Sequence, residues 1–182
     1  RYIRIDGKPL FLVYRLEHLP DPARTAQVWR EEARRAGIGD LYLARVEGFA
    51  SAVDPRDLGF DAAVEFTPDW RESGTPLYRS GLYRLLIRLG LLSDVYLRQK
   101  ITRYDELVTR MLAKASTAYT QFRCVTPGFD NSARRAEQAA IIVGGTPEKY
   151  EAWLREIVSK TMQGREGDER IVFINAWNEW AE

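Results

Sequence analysis

Short apolar runs recur along this chain, and each ends in polar residues. Leu10-Phe11-Leu12-Val13-Tyr14 follows the turn Asp6-Gly7-Lys8-Pro9 and predicts a buried strand that ends near Arg15. Asp40 to Val46 and Phe60 to Phe66 predict two more, ending at Glu47-Gly48 and at Glu65. A fourth is predicted from Tyr119 to Val125, running into Pro127-Gly128-Phe129-Asp130-Asn131, and a fifth from Ile171 to Ile174. Between these runs the period lengthens. Ala26, Val28, Trp29, Ala33 and Ala36 fall at helical spacing over Thr25 to Ala36, with Gly37 as the stop. Leu107, Val108, Met111 and Leu112 share one face of a helix over Tyr104 to Ala115. Thr146-Pro147-Glu148 offers an N-cap and a proline at the first helical position, and predicts a helix to about Met162. Residues 69–92 are less regular. Their aromatics favour an ordered lid or a helical insertion, and the Leu82 to Leu92 stripe reads as an amphipathic helix packed on the rest of the domain, with a contact face for a partner protein as the alternative.

The predicted order is β-α-β-β-(insert, α)-β-α-β. Strands alternating with helices of this length imply parallel pairing and right-handed crossovers. The fold class is α/β, and the expected architecture is a (β/α)8 TIM barrel, with an open doubly wound sheet as the runner-up. A whole barrel takes about 250 residues. Five strands in 182 residues therefore read as the C-terminal portion of one, a single but incomplete domain over 1–182. The chain stops at Glu182 inside a motif, which also reads as part of a larger domain. A half-barrel exposes strand edges, so the isolated segment is expected to aggregate or dimerise.

In a parallel barrel all the strand exits lie on one face, where active sites are built. Arg15, Glu65, Asp130 and Asn131 are candidate substrate-binding residues on that ground, and Glu17 and Glu47 also follow strands. The densest polar cluster follows the fifth strand. Trp177, Asn178 and Trp180 interleave with Glu179 and Glu182. Indole faces stack on sugar rings, and amides bond hydroxyls. Glu179 and Glu182 share a face if the segment turns helical, and two close carboxylates favour one protonated and one ionised group. That is the acid and base pair glycoside cleavage requires, so these two are the candidate catalytic residues.

Bulk properties narrow the field. The chain carries 27 Lys+Arg against 26 Asp+Glu, a net charge of +1, which argues against a general nucleic-acid binder. A single cysteine, Cys124, and a single histidine, His18, leave no internal disulfide and no cysteine- or histidine-rich metal site. Cys124 lies in an apolar run and is expected in the core. No metal and no cofactor is expected. The sequence contains no Gly-x-Ser-x-Gly, P-loop or Gly-x-Gly-x-x-Gly pattern. No apolar stretch reaches the roughly 20 residues of a membrane span. The expected partner is a carbohydrate, and the competing reading is a non-catalytic glycan-binding module that would not need Glu182.

Five segments, RYIRIDGKPLFLVYR, WREEARRAGIGDLYL, FDAAVEF, PGFDNSARR and FINAWNEWAE, together resemble the WbsX-type proteins of polysaccharide biosynthesis. These are called glycosyltransferases and are related to the endo-α-mannosidases of glycoside hydrolase family 99. The resemblance covers essentially the whole chain and implies a (β/α)8 barrel acting on a glycosidic bond in a bacterial surface polysaccharide, such as lipopolysaccharide O-antigen, or its precursor. It implies that Glu179 is the base that deprotonates a sugar 2-hydroxyl, which attacks the anomeric carbon, and that Glu182 is the acid on the leaving oxygen. Ala181 departs from the bulkier polar residue of the mannosidases. The name implies transfer, whereas the carboxylate pair and the lack of an Asp-x-Asp motif favour hydrolase-like chemistry. The expected location is cytoplasmic, with the inner membrane surface as the alternative.

Overall fold

The computed structural model describes residues 2–48 and 53–176. In chain order its elements are β1 (Arg4–Ile5), β2 (Lys8–Val13), α1 (Pro22–Arg35), β3 (Tyr42–Glu47), β4 (Ala62–Glu65), α2 (Gly81–Arg88), α3 (Val95–Arg98), β5 (Lys100–Arg103), α4 (Tyr104–Ala113), β6 (Gln121–Phe122), β7 (Cys124–Val125), β8 (Ala140–Val143), α5 (Pro147–Gly164) and β9 (Phe173–Ile174). They fall into two compact units. The first is Arg1–Phe66, Ala115–Cys124 and Val158–Phe173, and the second is Thr67–Lys114, Val125–Ile157 and Ile174–Glu182.

The first unit is built on a five-stranded sheet in the order β1-β2-β3-β4-β6. From β2 onward all pairing is parallel, with Leu10 opposite Tyr42, Ala44 opposite Ala62 and Val64 opposite Phe122. Side chains alternate between the two faces. One face buries Ile5, Leu10, Tyr42, Ala44, Ala62, Val64 and Phe122 together. On the other, Leu43 packs with Leu16, Ala26 of α1 and Phe60. The helix begins three residues before the predicted start. Asp21 accepts the Arg24 N–H at 2.9 Å and Pro22 occupies the first turn, a cap the apolar period alone does not reveal. Asp61 then ties helix to sheet, taking Arg30 Nη2 at 2.6 Å and the Leu43 N–H at 2.8 Å.

Four expectations need correction here. β1 forms an antiparallel hairpin with β2, so the sheet is not wholly parallel. The turn is allowed by Asp6 and Gly7, both at positive φ. The strand predicted from Tyr119 to Val125 is broken at Arg123 into β6 and β7, and the fifth strand shrinks to two residues. β2 is less buried than its apolar run predicts, because the two-residue β1 leaves Phe11, Leu12 and Tyr14 exposed.

In the second unit β5 and β8 pair in parallel, Lys100 opposite Ala140 through Arg103 opposite Val143. The strand reading missed both. Ile141-Ile142-Val143 before Gly144-Gly145 carried the β-branched signal, whereas Lys-Ile-Thr-Arg carried almost none. Leu107 and Met111 of α4 are buried as their spacing predicts. Tyr104 meets Trp153 of α5 edge-on at 5.9 Å and donates to the Thr126 carbonyl at 2.9 Å. α5 starts where predicted, with the Lys149 N–H reaching Thr146 Oγ1 at 3.3 Å. The irregular stretch contains the short helix α2, and α3 follows just beyond it.

Candidate functional site

The residues expected to perform chemistry, Glu179 and Glu182, and their neighbours Trp177, Asn178 and Trp180, lie outside the described residues. The approach to them is described and is firmly held. In the second unit the Asn175 N–H donates to the Val125 carbonyl at 2.9 Å, and Asn175 Nδ2 donates to the Thr67 carbonyl at 2.6 Å. Ala176 follows, buried, at φ +52°. A left-handed alanine is costly unless its surroundings hold it, and such positions gather at functional sites. The backbone is therefore turned sharply one residue before the Trp-Asn-Glu-Trp segment.

Two acidic strand ends in the first unit are now explained by their partners. Arg45 and Glu47 are two residues apart on β3 and share a face. Glu47 Oε1 accepts from Tyr119 Oη at 2.6 Å and Arg45 Nη2 at 3.2 Å, and Oε2 accepts from Gln121 Nε2 at 2.5 Å. Burial pushes the Tyr119 phenol up to about 12, reinforced by its bond to Glu47, so it stays a donor. Glu65 stands opposite Glu47 in the ladder and is 2% exposed. Its Oε2 accepts Arg123 Nε at 2.9 Å and the Cys124 N–H at 3.3 Å. The carboxylate thus supplies the acceptor where β6 breaks. Both acids have donors from their own unit, and the arrangement fixes three adjacent strand ends in place. Sequence reading named Glu47 and Glu65 but missed Arg45, Gln121 and Arg123. A charged residue inside each of two apolar runs was the available signal, since burying it demands a partner.

Arg15 is exposed, with its guanidinium 5.8 Å from the centre of the Tyr14 ring. Asp130 and Asn131 belong to the second unit. Asp130 Oδ1 accepts the Ser132 N–H at 2.8 Å, and buried Asn131 accepts the Ala140 N–H at 2.9 Å at the start of β8. Both side chains shape the loop after β7. Cys124 is buried, as expected. Also in the second unit, Asp69 is buried 3% exposed against Arg71 Nε at 3.1 Å and Lys114 Nζ at 3.0 Å. Burial works to raise its pKa, but the hydrogen bonds from Arg71 and Lys114 together hold it below the ordinary carboxylate value. Among the described residues, no group of three or more His, Cys, Asp or Glu is placed to hold a metal ion.

Comparison with known proteins decides the family. The description "Glycosyltransferase WbsX" matches residues 1–182. The chain belongs to the WbsX glycosyltransferase family. It is also 40% identical over all 182 residues to proteins named WxcX from two strains of Xanthomonas campestris pv. campestris. The chain spans about a quarter of the length of those curated relatives, 25% of each. No solved structure matches it. Among the described residues, no helix is long and apolar enough to cross a membrane.

Proposed function

We propose that this WbsX-family chain contributes the catalytic carboxylates of an enzyme acting on glycosidic bonds in a bacterial surface polysaccharide or its precursor. The observation that carries the reading is the family match over the whole chain, which includes the terminal Asn-Ala-Trp-Asn-Glu-Trp-Ala-Glu segment. The anchored Asn175 and the left-handed Ala176 support it, because they fix the backbone that leads into that segment. The parallel run β2-β3-β4-β6 supports a (β/α)8 barrel as the scaffold, with its strand exits forming the working face.

In the proposed chemistry Glu179 takes the proton of a sugar 2-hydroxyl, and that oxygen attacks the anomeric carbon. The bond to the leaving oxygen breaks as Glu182 protonates it. Water then opens the anhydro sugar to give hydrolysis, or an acceptor hydroxyl opens it to give transfer. Trp177 and Trp180 stack on the rings and Asn178 bonds a hydroxyl. The relation to family 99 mannosidases is the source of these two roles. The test is turnover by the full-length protein on α-mannosides and surface polysaccharides, read by mass spectrometry. Loss of product in Glu179→Gln and Glu182→Gln, with glycan still bound, is the expected result. Binding without turnover in every form, wild type included, would make the chain a glycan-binding module.

A further inference from the structure

Only part of the Leu82 to Leu92 stripe packs inward as its pattern predicts, since Leu86, Ile87 and Leu92 are half-buried and the other leucines are exposed. On α2, Leu82 and Leu85 are 61% and 52% exposed, and Leu89, which caps the helix, is 60% exposed. These three positions follow i, i+3 and i+7 spacing and so form one stripe. The opposite side is the inward one, carrying half-buried Tyr83 and Ile87 at i, i+4. Gly90, at φ +71°, turns the chain, and Leu91 after it is 67% exposed. Leu97, beyond the turn, is also exposed. With Leu86 and Ile87 half-buried and Leu82, Leu85 and Leu89 exposed, the helix is apolar on both sides, and exposed apolar surface of this kind marks a binding face.

Charge identifies the occupant. Residues 73–93 include Arg79, Arg84 and Arg88 and contain no Asp or Glu. All three arginines are exposed. On a helical projection Arg84 and Arg88 fall along one border of the leucine stripe. The first acid beyond them, Asp94, is paired with Arg98 at 3.0 Å. Arg103, also exposed, donates to Tyr83 Oη at 3.3 Å and adds a further positive group beside the helix. Leucines on one arc, arginines at its border and no acid between them match an anionic bilayer surface. The leucines enter the acyl boundary, and the guanidinium groups on their flexible stems meet lipid phosphates.

We infer that α2 and the turn after it form an interfacial docking element for an anionic membrane surface, lying in the headgroup plane without spanning it. This inference does not depend on the proposed carboxylate chemistry.

Co-sedimentation of the full-length protein with lipid vesicles tests it. Vesicles of phosphatidylcholine with about 30 mol% phosphatidylglycerol are compared with pure phosphatidylcholine, at about 0.1 M and about 0.5 M salt. The anionic vesicles should pellet the protein, with weaker binding at the higher salt. Leu85→Ser with Leu89→Ser, and separately Arg84→Glu with Arg88→Glu, should each lower partitioning at least about tenfold. Both pairs are exposed, so thermal melts of the variants should match the parent. Equal partitioning of parent and variants, or no preference of the parent for anionic vesicles, overturns the inference. So does a lipid-free change of oligomeric state in the leucine variant, which would make the stripe a contact between copies of the chain.

Discussion

The sheet of the first unit and the α2 excursion of the second invert the usual placement of residues. The sheet buries Arg45, Glu47 and Glu65, whereas α2 exposes Leu82, Leu85 and Leu89. Each buried charge meets donors or acceptors within hydrogen-bond reach, so desolvation is offset locally. No residue of α2 is buried, so its exposed leucines gain no such offset from a core of their own. The difference teaches that a polar strand end is not by itself a binding site, and that an apolar helical stripe is not by itself core. What surrounds the side chain decides both.

The sharpest way to break this comparison is to remove one member of the buried network. Glu47→Ala leaves Arg45 and Tyr119 facing each other without their acceptor, and should cost about 3–5 kcal/mol in denaturant unfolding. A loss under 1 kcal/mol would mean that Glu47 is held for function and not for folding. Asp69→Asn should cost less, about 2 kcal/mol at neutral pH. Its folded pKa lies below the ordinary carboxylate value, so its contribution is present above that ordinary value and fades as pH falls through the folded pKa. Melts from pH 7 downward should show parent and Asp69→Asn converging in acid. Asn131→Ala removes the acceptor for the Ala140 N–H and should cost about 1–2 kcal/mol, with loosened hydrogen exchange along β8. At the small end, Leu85→Ser with Leu89→Ser should shift stability by no more than about 0.5 kcal/mol per site, as for exposed positions. A large loss there would mean that the leucines are buried in solution.

Much of the fold was legible because period and punctuation agreed. Phe60 to Phe66 read as a strand, Tyr104 to Ala115 as a helix and Thr146-Pro147 as a helix start, and β4, α4 and α5 sit there. The errors have physical sources. β5 has too little apolar character to stand out, and its strand identity comes from its partner β8. The break at Arg123 depends on Glu65, 58 residues away, supplying the acceptor, and no local pattern records that. The outward face of α2 was only the lesser alternative, because a helical stripe states that residues share a side and not which way that side points. Of the candidate site, Glu65, Asp130 and Asn131 were found as polar residues at strand exits, but their partners Arg123, Ser132 and Ala140 were not. The Trp177 to Glu182 motif remains a reading from sequence and family.

The central claim is that Glu182 serves chemistry while Glu47 serves the fold. The direct measurement is glycan turnover together with thermal melting for the full-length parent, Glu182→Gln and Glu47→Gln. Glu182→Gln should keep its melting temperature and lose turnover by at least about a hundredfold, within the range general acid catalysis supplies. Glu47→Gln should lose stability first. Turnover by Glu182→Gln within about twofold of the parent would contradict the account, since the acid would then lie elsewhere.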